Sequence, residues 1–268
     1  MNVEMFDSFS IMTIFALVAL SMLLSCEIGY QLGKHFQTQL DKDAPNSLGP
    51  MVGGLLGMLA FVLAFTFSIA SSQHSDRKQN VLDETNAVGT AYLRADLLAM
   101  PQRKKVKHLL REYVDLRLQA VEAIQSEGSK STLLAAALKR SITIHQLLWA
   151  ETSTAAIKAP SFNTSLMVEA VNNVIAMHNT RVTAGLHYRI PSSVWIAVIA
   201  ICFLTMITMG TQIGLTGHRR LVAVIPLSMA FSALLVVAVD LNHPQKGLIT
   251  VGQQSMLSLQ KTMTNDIN

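Results

Sequence analysis

Any chemistry in this chain would have to come from eight histidines, two cysteines and a sparse set of carboxylates. Their spacing gives them little to do. The sequence has no HExxH, no CxxC, no P-loop and no GxSxG elbow. His108 and Glu112 share a helix face at i, i+4. That spacing suits a metal-ligand pair or a solvated polar pair, and without a third ligand we read the solvated pair. His145 and His178 flank apolar segments and read as packed or surface histidines. Cys26 and Cys202 lie in apolar runs, so they form no disulfide scaffold and imply no oxidising compartment. No catalytic set, metal site or cofactor site is expected, and the chain reads as something other than an enzyme.

The segment from Met51 to Ser72 carries the most information. Gly53, Gly57, Ala60 and Ala64 form a stripe of small residues that lets helices approach closely. Beside it run Phe61, Phe65, Ser68 and Ser72, at i, i+4, i+7 and i+11. The segment then turns polar and basic through Ser71, Gln73 and His74 to Arg77 and Lys78. Two readings fit. One is plain helix packing with snorkelling basic anchors. In the other, several copies surround an axis. Phe61 and Phe65 then make an apolar constriction that gates by dewetting, and Arg77 and Lys78 concentrate anions in a vestibule below. Glu27 closes the first apolar run and also has two readings. It faces a buried partner or polar cavity, or it sits at the membrane interface with Tyr30 and Lys34 as anchors.

These residues need elements to hold them. Half of the residues (50%) are hydrophobic and 14% are charged, against about 25% charged in soluble domains. Lys and Arg number 21 and Asp and Glu 17, a net +4 too small to suggest nucleic acid. Stretches without Asp, Glu, Lys or Arg run from Ser8 to Cys26, Ala44 to Ser75, Ile190 to His218 and Leu221 to Val239. A membrane-crossing helix needs about 20 apolar residues, which predicts four crossings near 10–33, 50–72, 192–214 and 220–240. Pro45 and Pro50 are expected to set where the second begins. The first does not read as a cleavable signal, because Glu4 and Asp7 replace a basic leader.

Most of the charge lies between residues 73 and 190, where Val106, Leu110, Tyr113, Val114, Leu116 and Val121 recur at helical spacing. Helices are predicted near 73–99, 102–126, 131–158 and 162–188, started or broken by Pro101, Glu127-Gly128-Ser129 and Pro160-Ser161. The expected fold is an all-α membrane protein with four transmembrane helices and a helical cytosolic domain inserted between the second and third. Its parts are 1–72 (two crossings), 73–190 (helical domain), 191–241 (two crossings) and 242–268 (C-terminal segment, extended and then a short amphipathic helix). Four crossings put both termini and the middle domain on one side. Arg77, Lys78, Arg181, Arg189 and Lys246 there, against Lys34, Lys42, Arg219 and Arg220 opposite, favour the cytoplasm for that side. Asp83, Glu84 and Asn86, with Arg94 two to three turns on, form a polar cluster with Arg181 or Arg189. It reads either as a vestibule lining or as a solvated or subunit-packing face.

Several blocks resemble the bestrophin-like domain family of bacterial and plant membrane proteins. They are Glu27-Ile-Gly29, Leu63 to Ala70, Asp76-Arg77-Lys78, Asp83 to Leu98, His178 to Arg181, Arg189-Ile-Pro191, and Asp240-Leu-Asn-His-Pro244 through Gly247 to Gln254. The resemblance covers nearly the whole chain. A more distant similarity links it to bestrophins, pentameric anion channels with four transmembrane helices per subunit and a pore neck on the second. That similarity implies a neck at Gly57, Phe61 and Phe65, with Leu63-Ala64-Phe65 matching a Leu-Gly-Phe-like step. Where bestrophins carry an arginine after the neck, Thr66 stands here, and no acidic cluster suits a calcium clasp.

Two functions from different classes follow. One is an oligomeric channel, pentameric by resemblance, passing small anions such as chloride across a bacterial inner membrane. The other is a non-conducting membrane protein whose helical domain binds a partner or senses a signal. An intramembrane enzyme would have only Glu27 and Cys26 to work with.

Overall fold

The computed structural model describes residues 10–37, 44–127, 132–186, 189–216, 221–243 and 247–266. The described residues form eight α-helices and one short 3-10 turn. These are α1 (Ile11–Phe36), α2 (Ala44–Arg94), the 3-10 turn Ala95–Leu97, α3 (Gln102–Glu127), α4 (Thr132–Lys158), α5 (Phe162–Leu186), α6 (Ser192–Thr216), α7 (Leu221–Asn242) and α8 (Gln254–Asn265). Four of them are long and apolar enough to cross a membrane: α1, α2, α6 and α7. Glu4, Asp7, Lys42, Gly128, Ser129, Arg219, Arg220, Pro244 and Lys246 lie outside the described residues.

Pro50 does not begin the second crossing. It lies inside α2, which starts at Ala44. A proline this near a helix start removes one backbone bond without breaking the ladder beyond it. Downstream, α2 runs without interruption to Arg94, so the crossing and the charged helix that follows it are one element.

The chain divides into two compact units, Met1–Ser72 with Arg189–His243, and Gln73–Tyr188 with Pro244–Asn268. The first unit gathers α1, the start of α2, α6 and α7 around Met22, Leu59, Leu63, Trp195, Met206 and Leu235. Its outer surface is apolar as well, with Leu17, Leu24, Leu204 and Met229 exposed. Lipid tails are as apolar as these side chains, so close packing rather than water exclusion must hold the helices together. Glycines supply it on α1 and α6. A Cβ at Gly29 would sit 2.0 Å from the Ile207 carbonyl oxygen and one at Gly33 2.2 Å from that of Thr211. One at Gly210 would meet the Cys26 oxygen at 2.0 Å and one at Gly214 the Tyr30 oxygen at 2.3 Å. Each helix thus presents glycines at i, i+4, and the ascending register makes α1 and α6 parallel.

The second unit is water-type packing. Val88, Leu110, Tyr113, Ile144, Leu148, Met167 and Val174 are fully buried, and Met256 and Met263 of α8 dock into the same core. Ser161 starts α5 with a reciprocal cap: its Oγ accepts from the Thr164 N–H at 3.2 Å, and Thr164 Oγ1 accepts from the Ser161 N–H at 3.0 Å.

Candidate functional site

Within the first unit, α2 has two unlike faces. Val52, Leu59, Leu63, Thr66 and Ala70 are buried. The Thr66 hydroxyl returns to the Val62 carbonyl at 2.8 Å, so the one polar group on that face is satisfied within the helix. The opposite arc holds Gly53, Gly57, Ala60, Phe61, Ala64, Phe65, Ser68 and Ser72, and all of it is exposed in the single chain. Phe61 is 73% exposed and Phe65 61%. Nothing lies within 4 Å of a Cβ added at Gly53 or Gly57. The stripe of Gly53, Ala60 and Ala64 therefore does no packing inside the chain, where α1 and α6 supply the close approach instead. At the far end of α1, Glu27 is half-buried, and Gln31 Nε2 lies 3.4 Å from its Oε1.

The second unit holds a buried ionic cluster. Glu84 of α2 is fully enclosed. Tyr113 and Arg117 reach it from α3 at i, i+4, and His178 and Arg181 from α5 at i, i+3. Tyr113 donates its hydroxyl hydrogen to Glu84 Oε1, and Arg181 Nη1 donates to Oε2. Arg117 Nε lies 3.1 Å from Oε1. With its own proton given to Glu84, the Tyr113 oxygen is left to accept from His178 Nδ1 at 2.9 Å, which selects the Nδ1–H tautomer. His145 of α4 stacks edge-on against His178, ring centres 4.6 Å apart, and lies tilted against Tyr113 at 5.1 Å. Arg181 Nη2 donates to Gln253 Oε1 at 2.7 Å, tying in the segment before α8.

Burial alone would raise the Glu84 carboxyl, but Arg117 and Arg181 outweigh it and hold the group down to about 2. Burial pushes His145 down to about 4. It pushes His178 down to about 3, with Arg117 adding to the effect. At neutral pH the cluster thus holds one carboxylate, two guanidiniums and two neutral imidazoles. It is a latch across four helices.

The sequence-predicted residues separate accordingly. Glu84 and Arg181 pair directly, whereas Asp83 accepts from Gln79 at 2.8 Å and Asn86 is exposed. Arg94 donates to the Leu166 carbonyl at 2.9 Å and lies 3.7 Å from Glu169. Arg77, expected in an open vestibule, is buried within the second unit, its Nε donating to the Ala184 carbonyl at 3.3 Å, while Lys78 is exposed. Arg189 belongs to the first unit. In that unit, Asn242 Oδ1 accepts from the Ile190 N–H at 3.1 Å, which joins two of the blocks that carried the family resemblance. His108 is exposed and Glu112 pairs with Arg140 at 2.6 Å, so these two do not form a ligand pair. No group of three metal-ligating side chains occurs among the described residues.

Sequence reading alone passed over Tyr113, Arg117, His145, His178 and Gln253 as members of one cluster. The i, i+4 spacing of Tyr113 and Arg117 and the i, i+3 spacing of His178 and Arg181 were the available signal.

The described residues form helices with no strand among them, four of those helices are of membrane length with apolar outer faces, and that is a membrane-protein fold. The crystal structure of a membrane protein matches it with a TM-score of 0.65 at 14% identity, covering 95% of this chain and 97% of that one. The bestrophin-like domain matches residues 15–256, and the chain belongs to the bestrophin-like family. No curated protein matches the chain.

Proposed function

We propose that this protein is an oligomeric membrane channel that passes anions through a pore lined by α2. The observation that carries the reading is the unpartnered arc of α2, where Phe61 and Phe65 stand exposed beside a stripe of glycine and alanine. A single bundle has no room for a water-filled pore beside its packed core. Several copies of α2 around an axis would bring the small residues into contact and turn the phenyl rings into a hydrophobic constriction. Ser68 and Ser72 would extend the lining toward the polar end, and Lys78 would supply positive potential beyond it.

The test is anion flux into liposomes. Phe61→Ala combined with Phe65→Ala should raise flux at least several-fold over wild type, because an apolar ring that resists wetting is removed. Flux at the level of empty liposomes for both proteins would instead favour a non-conducting protein whose helical unit binds a partner.

A further inference from the structure

A cavity of about 70 Å³ opens in the second unit beside the ionic cluster, with Arg117 and Arg181 in its wall. Arg77, Arg117 and Arg181 line it, and every other described lining residue is apolar or glycine, Val81, Ile124, Leu134 and Leu138 among them. All three arginines are more than nine-tenths buried or at that limit, at 4%, 6% and 9% exposure. Among the described residues, Arg117 and Arg181 share one carboxylate, Glu84, and Glu122 on the same helix as Arg117 is exposed. Arg181 spends its terminal nitrogens on Glu84 and Gln253. Arg117 does not. Its Nε faces Glu84, and among the described residues its two terminal nitrogens have no hydrogen-bond partner.

An anion entering the cavity would meet that fork and gain two charge-assisted bonds from it. The fork geometry matches a carboxylate, whose two oxygens take two parallel N–H bonds. The walls decide the rest of the ligand. Among the described residues they offer no further donors to replace the water of a strongly hydrated inorganic anion, and they offer apolar surface to an aliphatic chain. We propose that this cavity binds a short-chain aliphatic monocarboxylate, its carboxylate on the Arg117 fork and its chain on the apolar wall. This site is separate from the α2 arc and does not depend on conduction.

Binding of radiolabelled butyrate to the full-length protein in phosphatidylcholine nanodiscs tests it. Wild type should bind saturably at one molecule per chain. Excess unlabelled propionate should displace the label, and equal concentrations of butan-1-ol, chloride or inorganic phosphate should not. Arg117→Gln should weaken binding about tenfold or more, the loss expected for a charge-assisted bond. That variant also leaves Glu84 with one partner fewer, so a second variant guards against misfolding. Gly185→Leu adds a side chain in the cavity wall, where an added Cβ has nothing within 4 Å. It should keep its fold by circular dichroism and lose saturable binding. Absence of saturable binding to wild type, or undiminished binding to Gly185→Leu, would overturn the proposal. Displacement by phosphate as effective as by propionate would overturn the ligand class, and binding lost in Phe61→Ala would move the site to the pore.

Discussion

Glu84 is held by residues from two other helices, α3 and α5, and that makes it sensitive to both mutation and pH. Glu84→Gln removes the only carboxylate that, among the described residues, faces Arg117 and Arg181. Breaking a buried pair from one side costs about 3–5 kcal/mol. The variant should therefore unfold at lower temperature in nanodiscs, with early protease cutting between residues 73 and 186. The pH dependence has a definite sign. Glu84 is lowered in the folded state to about 2, so its contribution is present above its usual carboxylate range and is lost as pH falls toward 2. His145 and His178 are lowered to about 4 and about 3, so between pH 6.5 and those values the unfolded chain binds protons that the folded chain refuses. Stability should fall as pH drops from neutrality, by up to about 2 kcal/mol per histidine at pH 5. His178→Asn should flatten that profile when melting temperature is followed from pH 7.5 to 5. An unchanged slope would mean that His178 is not neutral and enclosed as described.

At the scale of helices, glycine does two different jobs in one membrane unit. On α1 and α6 the backbone of the neighbour sits where a side chain would go, and no rotamer can relieve a Cβ that meets a carbonyl oxygen at 2.0 Å. Gly29→Ala or Gly210→Ala should separate the two helices and cost about 1–3 kcal/mol, measured as lost thermal stability in detergent. Gly53 and Gly57 on α2 meet nothing within the chain. Gly57→Ala should leave a single chain as stable as before or better by about 0.5–1 kcal/mol from helix propensity. A selective loss of oligomer in native mass spectrometry, with the chain still folded, would show that this glycine works between copies. α8 carries a further element-scale clamp. Tyr92 donates to Asp266 at 2.8 Å, Lys107 reaches Asp96 at 2.8 Å and Asp266 at 3.0 Å, and Arg111 donates to the Met263 carbonyl at 3.2 Å. Together with Met256 and Met263 in the core, these contacts make α8 part of the helical unit rather than a helix lying on a membrane surface.

The molecule as a whole presents apolar surface over its four membrane-length helices, and the channel proposal turns on what one arc of α2 faces. Native mass measurement in nanodiscs should find several copies per particle. A stable single chain that still transports nothing would remove the channel reading. Lys78→Glu should reduce preference for chloride over sodium if α2 lines the conduit, because it reverses the exposed charge beyond Ser72. Equal selectivity before and after would place Lys78 outside the ion path.

The four spans, the charged helical stretch between them and the family were legible in the linear chain. Apolar length and helical period are local properties, and both survive folding unchanged. The face of α2 with its phenylalanines was legible for the same reason. The α1–α6 glycine contact was not, because Gly29, Gly33, Gly210 and Gly214 show their purpose only when helices nearly two hundred residues apart are laid side by side. Glu84 likewise looked like one more polar residue on a long helix. Its enclosure by Tyr113, Arg117, His178 and Arg181, and the burial of Arg77 where an open vestibule was expected, arise from packing among distant elements. Burial sets the strength of a charge, and no spacing along the chain records it.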